Sequence, residues 1–252
     1  MVETVATKIT AKNAVTTIVL MVSIGNRLHL SNYTYPRLAA WASSQGYASL
    51  LIRERITNDS LAPHFQKLIA HRLAPGYKRY IIIDDDLMLK RDSPPMLDFD
   101  EDKIGLCKDP VQSNTQAGHV KWTGNTGFIV AYEKSLQLLE QAYLNGEYPY
   151  NCWDKSGQGI WGPHDQAALN NVVFQKDLVH QLDWRWNYQI VVDYYTNHGK
   201  GWHKWTHSHF YRLGFYFSLL LPFSQTRKLL DQCYGLHMTM GVYPKFFSCI
   251  FK

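Results

Sequence analysis

The segment YIIIDDD at residues 80–86 decides the fold, because a continuous apolar run ending in three carboxylates is typical of a buried strand that leads into a site. Apolar residues also follow, at 87–89, which disfavours the alternative of a solvated acidic turn. Side chains alternate along an extended backbone, so Asp84 and Asp86 point one way and Asp85 the other. Two carboxylates can therefore face one divalent cation, Mg²⁺ or Mn²⁺, that bridges to substrate phosphate oxygens.

Apolar and amphipathic segments on both sides of this run predict an α/β fold. The predicted strands are apolar and partly β-branched, and they lie at residues 16–24, 47–53, 79–83, 103–107 and 126–131. The predicted helices have apolar residues at helical spacing, and they lie at residues 35–45, 64–73, 133–144 and 164–174. The order strand, helix, strand, helix, strand predicts a mostly parallel central sheet flanked by helices, with ligands bound beyond the carboxyl ends of the strands.

Composition limits the class of protein. A chain of 252 residues that is 46% hydrophobic and 19% charged can form one globular domain with a core and a pocket, which excludes disorder. A net charge of +5 suits an anionic ligand, but Lys and Arg are scattered, so no nucleic-acid partner is expected. The four cysteines are far apart, no signal peptide is evident and no apolar stretch reaches bilayer length, so a cytoplasmic location is predicted.

Two further segments complete a pattern with the aspartates, namely TGNTGFIV at 123–130 and HDQAALN at 164–170. With the N-terminal strand-helix-strand unit, they resemble nucleotide-sugar-dependent glycosyltransferases of GT-A fold. Their order and spacing are similar to family GT8, the glycogenin and lipopolysaccharide-galactosyltransferase group, and to small glycosyltransferases of large DNA viruses. The resemblance covers about residues 18–187. It implies a single GT-A (Rossmann-like) domain over 1–252, with a nucleotide-sugar-binding half at 1–122 and an acceptor-binding half at 123–252.

The resemblance implies that Asp84 and Asp86 hold Mn²⁺ (or Mg²⁺) on the diphosphate of the donor, for which a UDP-sugar is expected, with Asp85 near the donor sugar. The other donor-binding candidates are Ser23, Gly25, Arg27, Asn125 and Lys200. Arg27 could pair with phosphate or lie on the surface. Asn125 could bind sugar hydroxyls or simply form a turn into a strand, and the neighbouring Gly124 and Gly127 allow close approach of another group to the backbone.

The HDQ segment supplies the catalytic candidates. In an inverting transfer Asp165 would be the base that takes the acceptor proton, whereas in a retaining transfer Asp165 or Gln166 would support an ion-pair intermediate. The alternative makes Asp165 a residue of the first helical turn that is favoured by the helix dipole. His164 and Trp161 would shape the acceptor side, although Trp161 could equally be a core residue.

The family has a further metal-binding histidine near the C-terminus, within a pattern from which this sequence departs. His237 is favoured because it follows a helix-like segment and enters a short strand near Gly241. His198 and the pair His207/His209 are the alternatives. A zinc site among the histidines of 198–209 lacks supporting cysteines and helical spacing.

The expected function is metal-dependent transfer of a sugar from a nucleotide-diphosphate sugar to a glycan or other hydroxyl acceptor. One alternative is a haloacid-dehalogenase-like phosphotransferase, but that class carries its Asp-x-Asp on the first strand and has Thr or Val where this chain has Met88. Another is a non-catalytic carbohydrate-binding module of the same fold. The apolar segment 213–223 could be a buried helix, an acceptor-side platform or a peripheral membrane contact.

Overall fold

The computed structural model describes residues 15–110, 121–147, 161–162, 164–197, 209–239 and 241–251. The strands of its central sheet are β1 (Thr17–Val22), β2 (Ala48–Ile52), β3 (Arg79–Asp84), β5 (Ile104–Lys108), β6 (Gly124–Tyr132) and β7 (Val179–Leu182). They are ordered β2-β1-β3-β6-β5-β7, and only β6 runs against the other five. The predicted mostly parallel sheet is confirmed, whereas the division of the chain into donor and acceptor halves stays a prediction.

Helices cover both faces of this sheet. The α-helices are α1 (Leu28–Ser44), α2 (Leu136–Asn145), α3 (His164–Gln175), α4 (Ile190–Asn197), α5 (His209–Leu220), α6 (Gln225–Gln232) and α7 (Pro244–Ile250). A 3-10 helix spans Pro63–Leu73, and shorter ones span Glu133–Ser135 and Trp184–Trp186. In the part of the chain that the structure describes, no helix combines the length and the apolar character needed to cross a bilayer.

The core explains why β1 is apolar over almost its whole length. In β1, Ile18 and Leu20 face the side covered by the long 3-10 helix, α2 and α3. The alternate residues Val19 and Met21 face the side covered by α1. Because both faces are buried, the strand needs no polar alternation.

A second sheet, absent from the sequence-based prediction, extends the first one at the aspartate turn. It consists of β4 (Leu87–Leu89), β9 (Gly235–His237) and β8 (Tyr188–Gln189), in that order across the sheet. Leu87 pairs with His237 on one side of β9, and Gln189 pairs with it on the other. The C-terminal helices pack against this sheet in a separate apolar cluster. The sheet thereby joins the end of β3 to the C-terminal part of the chain.

Two predicted helices differ from the observed ones. The helix predicted over 64–73 is a 3-10 helix in which seven consecutive residues, 65–71, are buried. This helix is therefore packed on all sides, and its tertiary contacts, rather than one apolar stripe, decide which helical conformation it adopts. The helix predicted to start at residue 35 begins at Leu28, with Pro36 inside it, because Leu30 and Thr34 are already buried against the sheet.

Candidate active site

The three aspartates separate into two sets of contacts, although only Asp84 lies in a strand. Asp84 ends β3, and Asp85 and Asp86 form the turn into β4. His237 Nε2 lies 3.1 Å from Asp86 Oδ1 and 4.0 Å from Asp84 Oδ2. One donor atom from each of Asp84, Asp86 and His237 lies within 4.8 Å of the other two. Asp85 points away and pairs with Arg27.

Backbone pairing and a missing side chain place His237 beside the aspartates. Met238 N donates to the Asp86 carbonyl oxygen at 2.8 Å, next to the β4–β9 ladder. The imidazole lies against Gly127 of β6, where a Cβ atom would be 2.4 Å from His237 Cε1 and 2.7 Å from Nδ1. The close approach expected at Gly127 is thus to the imidazole, and a larger residue would displace it.

Burial and charge act against each other in this cluster. Burial raises the pKa of Asp84 above its ordinary value despite the positive charge of Lys67. Burial also opposes the ionisation of Asp86 and His237, but their mutual attraction lowers the pKa of Asp86 and raises that of His237. Asp86 Oδ1 is buried and has no aligned hydrogen-bond donor among the described residues; His237 Nε2, 3.1 Å away, is its ion-pair partner. A positive charge bound next to Asp84 and Asp86 would therefore stabilise their ionised forms.

The donor set fits a divalent metal ion. Carboxylate oxygens suit Mg²⁺ and Mn²⁺, and the imidazole nitrogen shifts the preference toward a transition metal such as Mn²⁺. The buried Asp86 Oδ1, which has no aligned hydrogen-bond donor among the described residues, is the atom that such an ion would satisfy. Asp84, Asp86 and His237 could thus hold the cation that the sequence predicts.

A chain of amide side chains fixes the orientation of His237. Its Nδ1 donates to Asn187 Oδ1 at 2.8 Å, and Asn187 Nδ2 donates to Asn125 Oδ1 at 2.8 Å. Asn125 Nδ2 donates to Gln166 Oε1 at 3.0 Å, and Gln166 Nε2 donates to Asp109 Oδ2 at 2.5 Å. An amide oxygen only accepts, so Nδ1 carries a proton and Nε2 faces the aspartates. Sequence reasoning missed Asn187 and Asp109, which carry no motif of their own.

Lys67 connects the aspartate cluster to Asp165. Its ammonium lies 2.8 Å from Asp84 Oδ1, 2.9 Å from Asp165 Oδ2 and 3.1 Å from the Thr126 carbonyl oxygen. Burial alone would lower the pKa of Lys67, but Asp165 and Asp84 raise it above its ordinary value, so the side chain is charged. Sequence reasoning missed this residue, because a lysine within the amphipathic segment 64–73 carries no signal of its own.

Asp165 lies inside the site rather than at an exposed helix end. It is the second residue of α3, it is only 5% exposed, and Thr126 Oγ1 donates to its Oδ2 at 2.8 Å. Together with the Lys67 ammonium, this hydroxyl holds the carboxylate toward β6 and the aspartate turn. Gln166 is equally buried and bonds Asn125 and Asp109. The HDQ and GNTG segments therefore meet in space.

The loop after β1 approaches the aspartates from the other side. Ser23 is buried and its N–H donates to the Ile52 carbonyl oxygen, and Gly25 has a φ of +84°. Arg27 donates from Nε and Nη2 to Asp85, at 2.7 and 2.5 Å, which raises the pKa of Arg27. The structure thus pairs the predicted phosphate ligand Arg27 with Asp85, a predicted donor residue, because the buried carboxylate needs a counter-charge.

The two predicted acceptor residues, Trp161 and His164, differ in their exposure to solvent. Trp161 is 7% exposed, and its ring packs near Phe174, which is the packing alternative for this residue. His164 is exposed beside Glu147. His209 begins α5 and is exposed. The remaining candidates, namely Lys200, His198 and His207, lie outside the described residues.

The chain is similar to known proteins in its structure, whereas the sequence comparisons found no match. No protein-family model matches the chain, and no curated protein matches it by sequence. A glycosyltransferase involved in the glycosylation of the major capsid of PBCV-1 has a TM-score of 0.59 at 14% identity, over 89% of this chain and 94% of its own. The galactosyltransferase LgtC, in complex with donor and acceptor sugar analogues, has a TM-score of 0.56 at 12% identity, over 90% of this chain and 88% of its own.

A third structure extends this likeness. The glycosyltransferase GlyE of Streptococcus pneumoniae has a TM-score of 0.51 at 15% identity, over 88% of this chain and 54% of its own. The three TM-scores, all above 0.5, establish a shared fold and confirm the expected GT-A architecture, whereas the identities of 12–15% show no more than the fold.

Proposed function

We propose that this chain is a metal-dependent glycosyltransferase, which moves a sugar from a nucleotide-diphosphate sugar to a hydroxyl of a carbohydrate acceptor. The observation that carries the proposal is the convergence of Asp84, Asp86 and His237 within one cluster that Lys67 joins to Asp165. The shared fold with known glycosyltransferases supports it, and one of those, LgtC, binds donor and acceptor sugar analogues.

The aspartate cluster would serve the leaving diphosphate. Asp84, Asp86 and His237 would hold Mn²⁺, which when bound neutralises the charge that builds up on a diphosphate as its bond to the sugar breaks. Asn187 keeps His237 Nε2 directed at this position. A UDP-sugar is the proposed donor.

Asp165 would serve the sugar carbon. Lys67 and Thr126 both contact its Oδ2, so we propose that Oδ1 meets the substrate. In an inverting transfer Oδ1 takes the proton of the acceptor hydroxyl; in a retaining transfer it stabilises positive charge at the anomeric carbon, with Gln166 beside it. The anomeric configuration of the product, read by NMR, distinguishes these two roles.

The alternatives are less well supported. A haloacid-dehalogenase-like phosphotransferase is disfavoured because the aspartates end the third strand in chain order and the fold is shared with glycosyltransferases. A non-catalytic carbohydrate-binding module of the same fold would bind sugars without releasing nucleoside diphosphate, which makes it an outcome of the experiment below.

The experiment measures donor binding by thermal shift, and nucleoside diphosphate release, for the full chain with UDP-, GDP- and dTDP-sugars, with and without Mn²⁺. We expect Mn²⁺-stimulated binding of one donor class and its loss in Asp86→Asn. Asp92→Asn, the same change at an exposed aspartate, is the matched control. Sugar binding with no release across the panel would establish the binding module instead. Unchanged donor binding in Asp86→Asn would refute the assigned role of that residue.

A further inference from the structure

A second group of side chains that could hold a metal ion includes the predicted acceptor residue His164. It comprises His64 from the long 3-10 helix, Glu147 just after α2 and His164 at the start of α3. One donor atom from each lies within 4.8 Å of the other two. His164 Nδ1 is 3.4 Å from Glu147 Oε1, and the two imidazole rings are 4.3 Å apart between centroids. None of these residues belongs to the aspartate cluster.

The backbone at this group is held in an unusual conformation. His164 has a φ of +53°, which is uncommon and costly for a residue with a Cβ atom, and it directly precedes the buried Asp165. Gly146, which precedes Glu147, also has a positive φ, of +61°. This conformation is ordinary for the glycine but strained for His164. Strained conformations of this kind concentrate at functional sites.

A buried nitrogen in the group has no hydrogen-bond partner. His64 Nε2 is inaccessible to solvent and makes no hydrogen bond in the structure. Buried ring nitrogens are normally paired, and the coordination of a metal ion is one way to satisfy such an atom. This observation is independent of the spacing of the three residues, and it also points to a missing ligand.

We propose that His64, Glu147 and His164 form a second cation site, which takes a borderline transition-metal ion such as Zn²⁺. Two imidazoles and one carboxylate are a donor set of zinc sites that leave a position open to water. Tetrahedral bonds of about 2.0–2.1 Å place donor atoms roughly 3.3 Å apart, close to the His164–Glu147 separation. Both of these side chains are about half exposed, 54% for His164 and 47% for Glu147.

The two cation sites differ in chemistry and should select different ions. The cluster of Asp84, Asp86 and His237 has two carboxylates, which suit Mn²⁺ and Mg²⁺, whereas the second group has two imidazoles, which suit Zn²⁺, Co²⁺ and Ni²⁺. An ion at the second site would also tie the 3-10 helix to the ends of α2 and α3. Binding to the folded state should therefore raise the melting temperature of the full chain.

The test uses Co²⁺ as the probe, in an Asp86→Asn background that weakens the first site. Visible absorption should show Co²⁺ bound with low coordination number, and Zn²⁺ should displace it. Adding His164→Ala or Glu147→Gln should weaken Co²⁺ binding at least about ten-fold, because changes even outside the ligand set of metal sites cost 10–100-fold. Both substitutions change half-exposed side chains, so the metal-free circular dichroism melting curve should be retained.

His209→Ala is the control for metal binding by other histidines, since His209 is an exposed histidine of α5 at the end of the histidine-bearing segment 198–209. We expect it to leave Co²⁺ affinity unchanged in the Asp86→Asn background. The proposal is overturned if Asp86→Asn binds no Co²⁺. It is equally overturned if His164→Ala and Glu147→Gln both retain the parent affinity, or if only His209→Ala loses it.

Discussion

Replacing Lys67 with methionine would remove the positive charge between Asp84 and Asp165 while nearly keeping the length of the side chain. The ammonium is buried, with its side chain 5% exposed, and contacts both carboxylates within 3 Å. Breaking a buried ion pair by removing one partner costs about 3–5 kcal/mol, because a charge is left buried without compensation. Asp165 is the more buried carboxylate, and Asp84 keeps His237 nearby, so most of this cost should come from Asp165.

The loss should depend on pH. Without Lys67, the burial that raises the pKa of Asp84 is less compensated, so Asp84 binds a proton more readily in the folded variant than in the unfolded chain. The folded variant then binds more protons than the unfolded chain, and its stability falls as pH rises through that interval. The difference between wild type and Lys67→Met should therefore be small near pH 4 and largest at pH 7.

The assay is urea unfolding followed by tryptophan fluorescence at pH 4.5 and pH 7. At pH 7 the variant should lose about 3–5 kcal/mol, or roughly 6–20 °C in melting temperature. Asp165→Asn in the Lys67→Met background should recover at least about 1 kcal/mol, since the two residues are in contact. Lys134→Met, which removes the exposed partner of Glu101, is the control and should leave the midpoint unchanged.

Either of two results would refute this reasoning. A loss below about 1 kcal/mol at pH 7 would mean that the charge of Lys67 is not needed to compensate the carboxylates. A large loss that neither changes with pH nor responds to Asp165→Asn would mean that Lys67 acts through packing alone.

Three further predictions concern His237 and the pH dependence of folding. Asn187→Leu removes the acceptor of the His237 Nδ1 proton, so Mn²⁺ affinity measured by electron paramagnetic resonance should fall about 10–100-fold; wild-type affinity would show that Asn187 does not orient the ring. Gly127→Ala places a methyl group 2.4 Å from His237 Cε1 and should cost at least about ten-fold in the same assay, unless the ring moves freely. Burial lowers the pKa of His71, so stability should fall as pH drops below about 6.5, where the unfolded chain binds the proton. His71→Gln should flatten the urea midpoint between pH 7.5 and 5.5, and a wild-type slope would contradict the prediction.

The central sheet could be predicted because strands such as β1 and β3 have a recognisable local sequence pattern. In β1 and β3 both faces are buried, so the strands are continuous apolar runs that end at polar residues. The separation of Asp85 from Asp84 and Asp86 was also expected, but it arises in a turn, because only Asp84 belongs to β3. Each of these predictions depends on a few consecutive residues, and burial by the surrounding helices does not change them.

The second sheet could not be predicted in the same way. Its strands β8 and β9 have two and three residues, which is too short for a period to be detected. Their pairing joins segments that are far apart in sequence, so the sequence of either segment alone does not predict the pairing. Lys67 was missed for a related reason: within its own helix it is an ordinary lysine, and only the positions of Asp84 and Asp165 give it a role.

His237 could be predicted only in part, and a further sequence signal could have been used to identify the residues that it contacts. Its local pattern favoured it over His198 and the His207/His209 pair, but that pattern says nothing about which residues it meets. The stronger signal is Gly127, because a glycine inside a strand weakens it and commonly marks the close approach of another group. In this fold that group is the imidazole of His237, held by the Met238–Asp86 backbone hydrogen bond. An unexplained strand glycine next to a carboxylate turn is therefore a reason to search the distant chain for its partner.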